Sequence, residues 1–139
     1  MFRQDYILRL IEQLGEALRR MAGLNRKGEH AAALAELDAA WARLDVPREL
    51  VEVVDTPTLA GMLRDPRTMR AVAGLFVEEA RAKAATGDPV HAQVLTRRAM
   101  ELHLEARALD PSGEDEAALL ELSRTVHANQ LDPRYRGGD

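Results

Sequence analysis

Cysteine is absent from this 139-residue chain, which excludes a disulfide framework, a thiolate metal site and a thiol nucleophile. Aromatic residues make up only 4% of it and β-branched residues are scarce, whereas alanine (23) and leucine (20) dominate; that balance biases ambiguous windows toward helix. Ser112 and Ser123 are the only serines, and neither sits in a nucleophile elbow. Glycine-rich phosphate loops, dinucleotide fingerprints and His-Glu-x-x-His pairs are missing too. Charge interrupts every apolar stretch well short of the roughly 20 residues that span a bilayer. Asp5, Arg9 and Glu12 break up the N-terminal run that a signal peptide would need. These absences predict a cytoplasmic protein that is not an enzyme and carries no cofactor or metal.

What is present is charge of both signs. Nineteen bases oppose 23 acids, for a net charge of −4, which argues against nucleic acid or an anionic membrane as partner. The charge is unevenly spread. Residues 1–27 hold Arg3, Arg9, Arg19, Arg20, Arg26 and Lys27 against three acids, while residues 101–132 hold eight acids against Arg107 and Arg124. Attraction between the two ends would contribute only about 0–1 kcal/mol per exposed pair.

Apolar periodicity organises the chain. Ile7, Ile11, Leu14, Leu18 and Met21 recur at gaps of four and three and predict a helix from near Phe2 to Lys27, stopped by Gly28. Leu10, Ala17 and Leu24 form a second row beside the first, more apolar surface than one neighbouring helix covers, and so predict a homodimer through this helix. A second helix is expected over Glu29–Leu44, with Leu34, Leu37, Trp41 and Leu44 inward and Trp41 in the core. Residues 46–65 are irregular: Pro47–Val54 reads as two helical turns, with a short strand at the valines as the alternative, and Thr56-Pro57 as a cap and first turn. Asp65-Pro66 and Asp88-Pro89 each open a long helix, one closed by Gly87 and the other by Asp110-Pro111. Ser112 with Asp115 three residues on is a capping box for a last helix reaching about Ala128. Residues 1–133 are thus expected to form one helical domain, with 134–139 as a mobile tail. The fold class is all-α, built of antiparallel helical hairpins.

In two hairpins a turn glycine is followed by alanines five and twelve residues later: Gly28, Ala33 and Ala40, then Gly87, Ala92 and Ala99. With Leu37 between the first pair and a proline closing each hairpin, this resembles a degenerate tetratricopeptide repeat. The repeat's Trp and Leu-Gly positions are replaced by Arg19-Arg20-Met21-Ala22, and the turn glycines lie 59 residues apart rather than about 34. The opening Met1–Gln13 is similar to the start of a family of short bacterial proteins with a tetratricopeptide-like fold and no assigned activity. That resemblance implies an adaptor or scaffold whose groove holds a protein segment. Asn25, Arg26 and Arg81 would be the groove residues, suited to an acidic peptide or a C-terminal carboxylate.

Catalytic constellations are sparse in one dimension. His91 and His103 fall about 120° apart on one helix and do not share a metal. Glu101, His103 and Glu105 alternate rather than taking the Glu-x-x-His spacing of di-iron bundles. The adjacent Glu78 and Glu79 diverge by about 100°. His30 and His127 read as surface or packing residues. The alternative to an adaptor is a ligand-binding or enzymatic bundle with its site between the first, fifth and sixth helices, to be recognised by polar groups converging on a pocket.

Overall fold

The structure, a computed structural model, describes residues 2–136, with side chains from Gln4 onward. Among these residues it is all-helical: α1 (Phe2–Arg26), α2 (His30–Trp41), α3 (Arg48–Val53), α4 (Thr56–Leu63), α5 (Pro66–Ala85), α6 (Pro89–Leu109) and α7 (Gly113–Leu122), followed by 3₁₀ turns at Ala128–Gln130 and Pro133–Tyr135. No strand forms at the valines, and no described helix is long and apolar enough to cross a membrane.

Each long hairpin turns at its glycine. Gly28 and Gly87 have φ of +79° and +94°, where a side chain is strained. The amide of the following residue reaches back to close the turn, Glu29 to the Leu24 carbonyl and Asp88 to the Lys83 carbonyl, both at 2.8 Å. Ala33, Ala40, Ala92 and Ala99 are all buried, so small residues do lie where helices meet. Asp65 and Asp88 cap α5 and α6 by accepting from the amides of Arg67 and His91.

Several boundaries differ from expectation. The α2 helix ends at Trp41 rather than Leu44, because i→i+3 bonds from the Arg43 and Leu44 amides tighten its exit and swing Leu44 and Val46 into the core. Pro47 lies outside α3 as its extended cap. The cap of α4 is Asp55, not Thr56; Thr56 falls inside the helix and its hydroxyl donates to Glu101 at 2.6 Å. The α7 helix stops at Leu122, and a turn there delivers Val126 and Leu131 to the core. Tyr135, expected in the tail, is half-buried with its hydroxyl on Glu105 at 2.5 Å; the rest of the tail from residue 137 lies outside the described residues.

At the centre runs α5, packed against α6, α1, α2 and α4. The two apolar rows of α1 are consequently both used inside one chain: Leu10, Leu14, Ala17 and Met21 are buried, and α1 packs on α2 as well as α5. Part of the surface from which a dimer was expected is covered intramolecularly, while Ile7, Ile11, Leu18 and Leu24 of the same rows stay half-buried. Trp41 is in the core as expected, its ring 6.0 Å from Phe76.

Candidate functional site

A cleft of about 580 Å³ opens along α1, α5 and α7, with His103 of α6 in its lining. On α5 its lining falls at 67, 70, 71, 74, 77, 78 and 81, and on α1 at 11, 15, 18, 19 and 22; both are single helical stripes. At Gly74 a Cβ would lie 2.9 Å from Leu18 Cδ1, so the absent side chain at 74 makes room for Leu18. Ile11, Leu18, Ala71, Val77 and Ala118 make an apolar floor, and Arg19, Arg67 and Arg81 line it with positive charge beside the carboxylates of Glu78 and Glu114. From Arg67 to Arg81 the groove runs roughly 21 Å at 1.5 Å per residue.

Its inner wall holds a buried ionic cluster that the sequence did not announce. Asp115 is completely buried and pairs with Arg70 and His103. Arg70 Nε donates to both carboxylate oxygens, at 3.0 and 3.1 Å, and Nη2 reaches Oδ2 at 2.9 Å. The same Nη2 donates to the Asp110 carbonyl, holding the α6–α7 turn. His103 Nδ1 stands 2.9 Å from Asp115 Oδ1. Burial alone would raise the Asp115 pKa, but the hydrogen bonds from Arg70 and His103 outweigh it and hold the carboxyl below its ordinary range. Asp115 is therefore an anion, so His103 Nδ1 is the donor in this bond and Nε2 is the ring's second nitrogen.

His103 lines the cleft, and its Nε2 has no partner among the described residues. His103 is itself buried, only 5% exposed. The expected capping box is overturned in the same place. Ser112 does cap α7, accepting from the Glu114 amide at 3.2 Å, but Asp115 turns inward to Arg70 and His103 instead of closing the box.

The groove residues read from the sequence are divided. Arg81 lines the cleft and bonds Glu78 at 2.5 Å. Asn25 joins the same carboxylate, donating to its Oε1 and backbone carbonyl at 3.0 Å each, and its own Oδ1 meets His30 Nδ1 at 2.8 Å. Asn25 thus fastens the end of α1 to α5 and α2. Arg26 is exposed at the end of α1 and does not line the cleft. His91 and His103 are separate, and no group of three or more metal-ligating side chains occurs among the described residues.

Other buried charges serve the scaffold. Arg98 donates to the carbonyls of Val51 and Val54, at 2.6 and 2.9 Å, and lies over the Phe76 ring; it pins α3 to α6. Glu101 accepts from Thr56 and from the Asp132 amide. Glu79 accepts from Arg48 at 2.8 Å, and its burial pushes the carboxyl above its ordinary range against the pull of Arg48. In these pairs protein atoms meet protein atoms, whereas His103 Nε2 has no partner among the described residues. No family model, curated protein or solved structure matches this chain.

Proposed function

We propose that the protein binds an anionic amphiphile, a small molecule with an acidic head and an aliphatic body, in the cleft between α1, α5 and α7. The observation that carries this reading is the pairing of an apolar floor with four arginines, Arg19, Arg67, Arg70 and Arg81, against two carboxylates, Glu78 and Glu114, in one groove. Arg67 is tied to Asp65 and Arg81 to Glu78, but Arg19 has no acidic partner among the described residues. A free guanidinium beside an aliphatic floor suits a carboxylate or phosphate whose tail lies on that floor. The volume lies within the range of small-molecule sites, about 300–1,000 Å³. This is the alternative that the sequence raised, with α7 added to the helices that build the site.

Calorimetric titration with decanoate tests it. Saturable binding is expected, weakened about tenfold by Arg19→Gln, the loss of one charge-assisted contact. Ala22→Phe, which projects into the groove from α1, abolishes it. Absence of heat with the wild-type protein, or binding untouched by both substitutions, contradicts the reading.

A second reading, the adaptor, draws on the openness of the groove along its length. An extended acidic segment of about six residues, at 3.3 Å each, would span it. Supporting a tetratricopeptide-like stack of hairpins, α5 packs on both helices of the first hairpin. An adaptor captures a defined protein from a native lysate, loses it on Ala22→Phe, and gives no heat with decanoate.

A further inference from the structure

The cleft holds more than binding requires. An amphiphile is satisfied by a floor and a cation; it does not need an imidazole fixed by a buried aspartate with its second nitrogen unpartnered. We propose that His103, positioned by Asp115, is a general base that makes the cleft an esterase site for acyl esters of anionic alcohols or phenols. The inference rests on the binding reading above and assigns a reaction to the same groove.

Three observations support it. Nδ1 is committed to Asp115 at 2.9 Å, which fixes the tautomer and ring plane and stabilises the imidazolium formed on proton transfer. Arg70 grips both oxygens of Asp115, so the aspartate cannot swing away to bond water. The residues lining the cleft include no serine, threonine, cysteine, tyrosine or lysine; of its two carboxylates Glu78 is held by Asn25 and Arg81 and Glu114 is a weak nucleophile toward an ester, so the attack is assigned to water.

The step follows from those roles. With the acyl chain on the floor and the acidic group at the arginines, Nε2 takes a proton from water as the water oxygen adds to the acyl carbon. The carbonyl oxygen becomes an oxyanion, whose charge the arginines offset. The carbon–oxygen bond to the leaving group then breaks as the carbonyl re-forms, and the proton on Nε2 passes to the departing oxygen. A carboxylic acid and an alcohol or phenol leave, and His103 is neutral again.

The test uses 4-nitro-3-(octanoyloxy)benzoate as substrate and its non-hydrolysable ether, 4-nitro-3-(octyloxy)benzoate, as binding probe. The wild-type protein is expected to release 3-hydroxy-4-nitrobenzoate well above the buffer rate. In His103→Asn the amide nitrogen replaces Nδ1 and keeps the bond to Asp115, but nothing replaces Nε2. That variant should bind the ether within about twofold of wild type yet lose about 100-fold or more in rate. In His103→Ala, added imidazole should restore part of the rate, a rescue that a purely structural histidine would not show. Binding of the ether without turnover overturns the esterase and leaves the binding reading standing. Failure to bind the ether overturns both. Full turnover by folded His103→Asn overturns the role of His103.

Discussion

His103 and Asp115, twelve residues apart across the α6–α7 turn, are joined by a 2.9 Å hydrogen bond inside the protein, and Arg70 from α5 closes the same carboxylate from the other side. Three helices therefore meet on one anion. Asp115→Ala leaves Arg70 buried without its counter-ion and is expected to cost about 3–5 kcal/mol of stability, read from urea unfolding midpoints. A loss below about 1 kcal/mol would show that the pair does not fasten α7.

Acid unfolding should carry two opposing slopes. The folded state holds the Asp115 proton less tightly than the unfolded chain, since Arg70 and His103 overcome the effect of burial. The stability this gives is complete above about pH 4, the ordinary carboxylate value, and is lost as pH falls through the lower folded value. Glu79 has the opposite sign: desolvation raises its carboxyl. Its ionisation costs stability above the folded value, and the cost vanishes as pH falls through that value toward about 4.3. Unfolding free energy measured against pH should lose its acid-side fall in Asp115→Asn and the gain just above it in Glu79→Gln. Unchanged profiles in both variants would refute these assignments.

Much of the fold could be read in one dimension because its signals are local. Gly28 and Gly87 are needed by their own φ, Asp65 and Asp88 cap amides two and three residues away, and the α1 rows repeat within one helix. What failed required knowing what stands opposite. Asp115 sits where a capping box would place it, yet its partners are 45 and 12 residues away; no local rule reports an arginine arriving from another helix. That the α1 rows are shared between α5 and α2 is likewise beyond any pattern within one helix. A residual signal was present: Arg70 is a lone cation between Met69 and Ala71 in an apolar stretch, and His103 adjoins Leu102 on the buried side of α6.

The turn glycines give a simple backbone test. A Cβ at Gly28 or Gly87 would meet nothing within 4 Å, while φ is positive at both. Gly28→Ala and Gly87→Ala should each cost about 1–2 kcal/mol through conformation alone. Thermal melts check this, and a stabilised alanine variant would contradict the turn geometry.

Gly74 behaves differently, since its φ is ordinary and its neighbour is close. Gly74→Ala gains helix propensity of about 1 kcal/mol but moves Leu18, whose Cδ1 lies 2.9 Å from the new carbon, at about 0.5–1.5 kcal/mol for an off-rotamer side chain. Stability should change little while decanoate binding weakens, because the displaced Leu18 enters the cleft. Weakened stability with unchanged binding would separate Gly74 from the groove.

Titration of isotope-labelled protein with decanoate, followed by backbone amide resonances, asks most directly whether the α1–α5–α7 cleft is a ligand site. The account predicts saturable shifts centred on Leu18, Arg19, Gly74, Val77 and Ala118, absent from Ala22→Phe. Shifts confined to the far side, around Arg48 and Val94, or no shifts at millimolar decanoate, would contradict it.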